Sequence, residues 1–456
     1  MKKNYLLGMA LIASLSFNSC TKEIVYVQDG TGVESVADGA QIITLQVENG
    51  GDGLATRAGR PLFSAEAKQS IENVKLWICD NAGEVVYVNT IETWDTSSSE
   101  YNTNGHGRQM TIELAGDNKL SANTYKVYAV GYSRTSDYDL NAVTSVTEKG
   151  TFNENMVLPI KKDNATNKIG EEIFAGQMEV TVEQGKGFKK PIVLNRQVAG
   201  AFAYVKDIPY MEGAKYLKLV ASAQNQSLVL GNFNSVDLAN NGSNTGESVK
   251  YVVNGTSASG KSGSETYVIS TIDLNEWFGK TLADTNNDNL VDATNWKNPY
   301  KPEGEPAAGT YPTFQKGSAF GGEFVIPFAH VDGKQTLTLQ LTNAGGDPLR
   351  SWKVNLGSAD EQLDQTITCW NSEFSNWSTS LSGESLNTYS LVRNHLYGIG
   401  TRMNDEADPE KPGVDPEPDP NPDPEDPDKP ESLNNKQELV LKVNDNWEVI
   451  HGMELD

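Results

Sequence analysis

Residues 437–456 read QELVLKVNDNWEVIHGMELD. Counting every second residue from Leu439 to Leu455 gives Leu, Leu, Val, Asp, Trp, Val, His, Met and Leu, so seven of nine are apolar. The alternate register, from Glu438 to Asp456, holds only Val440 and Ile450 as apolar residues. Side chains alternate sides along a strand, so this is a long strand with one apolar face. Leu439, Leu441, Val443, Trp447, Val449, Met453 and Leu455 form that face. Burying each is worth roughly 1.5–3 kcal/mol before entropy is subtracted, and a strand of this kind therefore requires a groove.

The preceding segment bears on where the groove lies. Residues 405–431 hold nine of the chain's nineteen prolines, twelve carboxylates and two lysines. Such a composition cannot bury apolar surface, and its Asp-Pro alternation favours extended polyproline II at about 3.1 Å per residue. The tail thus follows a stiff, self-repelling spacer. Connections inside compact domains are short, which favours a groove in a neighbouring molecule. The alternative is a last strand that folds back onto its own domain across a long loop.

Upstream, the chain is a procession of short strands separated by Gly, Asn, Asp and Ser turns. A first series is expected at 74–79, 84–91, 109–114, 124–132, 157–160 and 173–182. A second is expected at 192–205, 216–220, 248–253, 267–272, 323–327, 335–341, 351–356 and 388–402. Strands at this spacing without long intervening helices indicate sandwiches or barrels. One short helix is expected at 64–70 with Ser64 as its cap. About 370 residues lie between the polar N-terminal extension and the linker, enough for two domains of ordinary size.

The N-terminus has the form of an export signal: Lys2 and Lys3, an apolar run over 6–15, then Ser16-Phe17-Asn18-Ser19-Cys20. The run is too short to span a membrane. Its end resembles a bacterial lipobox, with Phe17 where Leu is usual, which implies cleavage before Cys20 and lipidation (palmitate) at that residue. Residues 41–47 then alternate cleanly, with Ile43, Leu45 and Val47 on one side of a strand. The next stretch, 49–61, is a Gly-rich loop with Arg57 and Arg60, the kind of tip at which proteases cut. Pro61 protects the bond after Arg60, so Arg57–Ala58 is the expected scissile bond.

The net charge of −24 and pI near 4.6 argue against nucleic acid as a partner. Besides Cys20 there are only Cys79 and Cys369, too few for a disulfide framework and both in strand-like apolar contexts. The four histidines are scattered, and no nucleotide-binding or nucleophile motif is present. The chain is read as no enzyme.

Several of these stretches, taken in order, resemble the fimbrillins of Bacteroidales, subunits of type V pili. They are the lipobox, Thr56-Arg57-Ala58, the strands VKLWI at 74–78 and YKVYAV at 125–130, LNRQVA at 194–199, VRNHLY at 392–397, the proline-acid linker, and the WEVI of the tail. The last three in succession are most similar to shaft subunits of minor fimbriae. The resemblance implies an all-β fold of two transthyretin-like β-sandwich domains, a Pro/Asp-rich linker and a C-terminal donor strand. Residues 1–20 would be the signal, 21–57 a propeptide with a removable first strand, and 58–193 and 194–404 the two domains. The linker would be 405–432 and the donor strand 433–456. The implied mechanism is delivery to the outer membrane by the lipid alone, cleavage at Arg57 by an arginine-specific or trypsin-like protease, and loss of the first strand. The tail of an identical subunit then enters the vacated groove. Anchor and tip subunits are the other implied partners, and adhesion and biofilm formation the implied role.

Two further readings come from the residues. Asp284, Asn286, Asp288 and Asp292 stand at positions 1, 3, 5 and 9 of a calcium-type loop. Position 6 is Asn289 rather than Gly and position 12 is Asn295 rather than Glu, and the alternative is a polar turn cluster. The 279–313 loop, with Trp277 at its border, Trp296 and Tyr300, suggests a competing role as a tip or surface adhesin for glycan or host protein.

Overall fold

The computed structural model describes residues 39–47, 71–100, 108–161, 171–233, 251–260, 262, 265–301, 303–304, 314–328, 337–356, 367–381, 391–400, 430–434 and 436–446. The lipobox, Arg57, the 64–70 segment, the linker up to 429 and residues 447–456 lie outside them.

The chain is all-β. In order, the strands are β1 (Gln41–Val47), β2 (Asn73–Cys79), β3 (Val85–Ile91), β4 (Ser99–Glu100), β5 (Arg108–Leu114), β6 (Asn123–Tyr132), β7 (Val157–Pro159), β8 (Ile173–Val182) and β9 (Phe188–Arg196). There follow β10 (Ala199–Lys206), β11 (Ala214–Ala221), β12 (Ala223–Gln224), β13 (Ser227–Val229), β14 (Tyr251–Val253), β15 (Gly255–Thr256), β16 (Ser259–Gly260) and β17 (Tyr267–Asp273). The last are β18 (Ala319–Val325), β19 (Leu337–Asn343), β20 (Pro348–Leu356), β21 (Ile367–Asn371), β22 (Asn376–Leu381), β23 (His395–Ile399), β24 (Glu431–Ser432) and β25 (Glu438–Asn446).

Two large sheets dominate. The first has the order β3-β2-β6-β8-β9-β1-β5-β4, and the second β17-β11-β19-β20-β25-β23-β10-β18 with β24 beside β10. The strand expected over 192–205 is two strands, broken at Gln197–Val198. β9 is the last strand of the first sheet in chain order and β10 the first of the second. Gln197 is fully buried and donates to the carbonyl of Asn195, so its side chain satisfies backbone where the chain changes sheets. Residue 194, where the second domain was expected to begin, lies inside β9.

The central strands lack a clean polar face, and the packing explains it. Val74, Leu76 and Ile78 of β2 enter a core with Ile43, Leu45, Val47, Phe174 and Ile192. Trp77 and Cys79, on the other face, enter a larger core shared with Phe202, Tyr204, Leu339 and Trp352 of the second sheet. A strand covered on both sides reads as a continuous apolar run. Lys75 is the exception within β2. It is 5% exposed, and its ammonium donates to the carbonyls of Thr144 (2.8 Å) and Val146 (2.9 Å), while burial lowers its pKa.

Candidate functional site

The features that matter are two strands contributed by the two ends of the chain, and the junction between their seats. β1 lies inside the first sheet. It runs parallel to β9, with Gln41 opposite Phe188 and Val47 opposite Leu194. It runs antiparallel to β5, with Gln41 opposite Leu114 and Val47 opposite Arg108. The alternation read from sequence is realised: Ile43, Leu45 and Val47 are each 0% exposed.

The start of β1 is held by side-chain contacts. The carboxamide of Gln41 reads both backbone groups of Leu120, donating from Nε2 to the carbonyl (2.8 Å) and accepting from the N–H at Oε1 (2.7 Å). Lys119 Nζ donates to the Gly39 carbonyl. A Cβ on Gly187 would stand 2.1 Å from the Ala40 carbonyl oxygen, so only glycine lets the chain enter here. One defect sits mid-strand. Thr44 is 6% exposed, and its hydroxyl has no hydrogen-bond partner among the described residues.

β25 lies inside the second sheet, parallel to β20 from Lys353↔Glu438 to Leu356↔Leu441 and antiparallel to β23 from Gly398↔Lys442 to His395↔Asn446. Leu439 is 1% exposed. In the single chain, then, the first half of the tail completes the chain's own second sheet. Both terminal strands have the same setting, with one parallel neighbour and one antiparallel.

Between the two seats lies a buried polar network. Arg196, at the end of β9, is 1% exposed; its Nε and Nη2 both reach Glu172 Oε1 at 2.8 Å. Its Nη1 donates to Asn394 Oδ1 at 3.2 Å, and its guanidinium stands 5.0 Å from the Phe174 ring. Arg393, equally buried, donates to Gln197 Oε1 and to the carbonyls of Gly231 and Asn232. Backbone bonds join the same segments, from Gln197 N to Ile173 O and from Asn394 N to Val198 O. The stretches 194–199 and 392–397, nearly two hundred residues apart, therefore form one structure. Sequence reading treated them as separate motifs. The signal was there in charged residues set among apolar ones, but their pairing is a tertiary fact.

The 284–292 loop is closed by its own backbone. Asp284 accepts from the N–H groups of Asp288 (3.1 Å) and Asn289 (3.0 Å), and Asp288 accepts from Leu290 N. Asp292 accepts from both the N–H and the hydroxyl of Thr285. Asn289 adopts the left-handed conformation, φ 66°, as the missing glycine required. Among the described residues no group of three or more His, Cys, Asp or Glu is placed to hold a metal ion. Nor do the loop's aromatics form an exposed platform: Trp277 is 1% exposed, with Phe314 edge-on at 5.0 Å and Tyr300 at 5.9 Å. Trp296 is half-buried and donates to the Ser318 carbonyl. Cys79 and Cys369 are free thiols, each pushed up to about 12 by burial.

No protein-family profile and no curated relative matches the chain. Among solved structures it is similar to a fimbrial anchor protein from Porphyromonas gingivalis, at 10% identity and a TM-score of 0.32 over 77% of this chain and 99% of that one. It is also similar to a fimbrial assembly protein from Parabacteroides distasonis, at 11% and 0.35 over 80% and 91%. A third is a C-terminally truncated tip fimbrial protein from Porphyromonas gingivalis, at 12% and 0.35 over 79% and 93%. No functional assignment follows from likeness at this level.

Proposed function

We propose that this chain is a structural subunit of a fimbrial shaft, exported as a lipoprotein through Cys20, activated by cleavage at Arg57–Ala58 and polymerised by strand exchange. The observation that carries the reading is the seat of β1. The residues upstream of Arg57 supply an internal strand of the first sheet, bonded on both sides by β9 and β5. While the chain is intact, β1 is tethered and its effective concentration at the groove is high; a cut at Arg57 turns the contact into a dissociable one. Loss of β1 would uncover the seats of Ile43, Leu45 and Val47, and main-chain bonding plus pocketed side chains is how an added strand binds a sheet. A head-to-tail contact of this kind does not close and so builds a filament. The partners are identical subunits, anchor and tip subunits, and the arginine-directed protease, at the cell surface.

The test is an SDS-resistant ladder from unboiled surface material, with N-terminal sequencing of its subunits. Wild type is expected to give a ladder whose subunits begin at Ala58, and Arg57→Ala a single lipidated species. A ladder built of subunits that still begin at Cys20 overturns the reading.

A second reading has a specific observation in its favour. β25 completes the chain's own second sheet, as it would in a monomeric lipoprotein whose tail closes its own fold. Cutting at Arg57, in chains with and without 433–456, separates the two. With the tail removed, cut shaft subunits should give no ladder. With the tail present, cut shaft subunits should associate head to tail, whereas a self-closing monomer should stay monomeric after the same cut.

A further inference from the structure

The strand that fills the first groove and the start of the tail have matching sequences. β1 is Gln-Ile-Ile-Thr-Leu-Gln-Val over 41–47, and residues 437–443 are Gln-Glu-Leu-Val-Leu-Lys-Val. Glutamine, leucine and valine recur at the first, fifth and seventh places, and isoleucine is replaced by leucine at the third. Within 433–456, only the frame starting at Gln437 places a side-chain amide two, four and six residues before apolar side chains.

We propose that residues 437–443 of a second copy of this chain take the place of β1 in one fixed register, with Gln437 at the position of Gln41, Leu439 at Ile43, Leu441 at Leu45 and Val443 at Val47. This rests on the strand-exchange reading above and adds to it which residues enter the groove and what reads them. The determinant is Leu120. Its N–H and C=O are both engaged by the Gln41 carboxamide at 2.7 and 2.8 Å, a paired donor and acceptor that a carboxamide at the same place of an incoming strand satisfies in full. Removing one partner of such a bond strands the other in a partly buried site.

Three further matches support the register. Val440 falls at Thr44, whose hydroxyl is buried with no partner among the described residues; valine has the same branched shape without that defect. Lys442 falls at Gln46, which donates to Gln109 Oε1, and an ammonium is again a donor. Finally, the two strands are interchangeable in setting, since β25 in its own sheet also has one parallel and one antiparallel neighbour. The register places Trp447 beyond the end of the β1 seat. Leu441 takes the place of the fully buried Leu45 and is the anchor in this register.

The test is a cross-link. Full chains with Cys20→Ser, one carrying Lys442→Cys and the other Gln109→Cys, are folded, mixed, and cut at Arg57 with an arginine-specific protease under mild oxidation. Gln46 and Gln109 are directly opposed in the β1–β5 ladder, so a disulfide between 442 and 109 is expected in covalent dimers. Val440→Cys or Asn444→Cys against Gln109→Cys, each two residues out of register, should link at least about tenfold less. Cys79 is buried and Cys369 half-buried, so chains carrying neither introduced cysteine report the background. Gln437→Ala should lower the yield of the 442–109 link by about tenfold, the effect of losing a partly buried hydrogen-bond pair. Gln437 is exposed in its own seat, so the melting temperature of the uncut variant should be unchanged.

Dimers linked best through 440 or 444 overturn the register and leave strand exchange standing. Cut chains that never associate overturn both. A chain bearing both cysteines that links only to itself, while mixed chains do not, overturns the second copy as occupant.

Discussion

Arg196 and Asn394 are joined by a 3.2 Å hydrogen bond from Nη1 to Oδ1, across 198 residues of sequence. Two residues before Arg196, Leu194 pairs with Val47, the last residue of β1. One residue after Asn394, His395 pairs with Asn446, the last residue of β25. The buried network therefore sits between the point where β1 leaves its sheet toward Arg57 and the point where β25 leaves its own.

Breaking that network from one side should be severe. Arg196→Met leaves the fully buried Glu172 carboxylate without its cation, and removing one partner of a buried pair costs about 3–5 kcal/mol. Arg196→Met combined with Glu172→Leu should cost well under the sum of the two single changes. Urea unfolding of the four proteins measures the coupling. Additive losses would mean that the pair contributes packing alone.

Leu45→Ala in the intact chain should cost about 2–5 kcal/mol, since the side chain is wholly buried. After cleavage at Arg57 and assembly, the same substitution should have no effect on filament stability, because β1 has gone. Melting of the uncut protein and of purified filaments supplies the comparison. An equal loss in both would show that β1 stays in the filament.

Cys79 and Cys369 should be silent toward a thiol reagent at pH 8 in the native protein and react fully in denaturant. Burial raises both to about 12 from an ordinary 9.0, and only the thiolate is nucleophilic. The sign for stability follows. A raised acid pKa leaves stability intact below pH 9 and removes it as pH climbs from 9 toward 12. The onset of alkaline denaturation should move to higher pH when both are replaced by Ala or Val.

For the 284–292 loop, Asp284→Ala should lower the melting temperature by a few degrees with or without a chelator, because it releases the N–H groups of Asp288 and Asn289. Chelation of the wild-type protein should leave its curve in place. A chelator-dependent shift that Asp284→Ala abolishes would establish a cation site.

Gln197 and Arg393 mark the limit of local reading. Each looks like an interruption of an apolar strand, and each is a buried partner of the other at 3.2 Å. The Trp277 cluster is similar: the sequence offers aromatics near a loop, and the fold turns them inward against Phe314.

Sequence alone determined the all-β class, most of the long strands, the apolar face of 41–47 and the long acidic spacer. These are local properties, set by a two-residue period and by turn residues. It missed Ile367–Asn371 and Asn376–Leu381 and joined two strands over 192–205. Tertiary structure alone decided that β1 runs between β9 and β5, that the break at Gln197–Val198 sends one apparent strand into two sheets, and that β25 sits between β20 and β23. Strand order and polarity depend on contacts hundreds of residues apart. Alternation specifies which face of a strand is buried and is silent about which neighbour buries it.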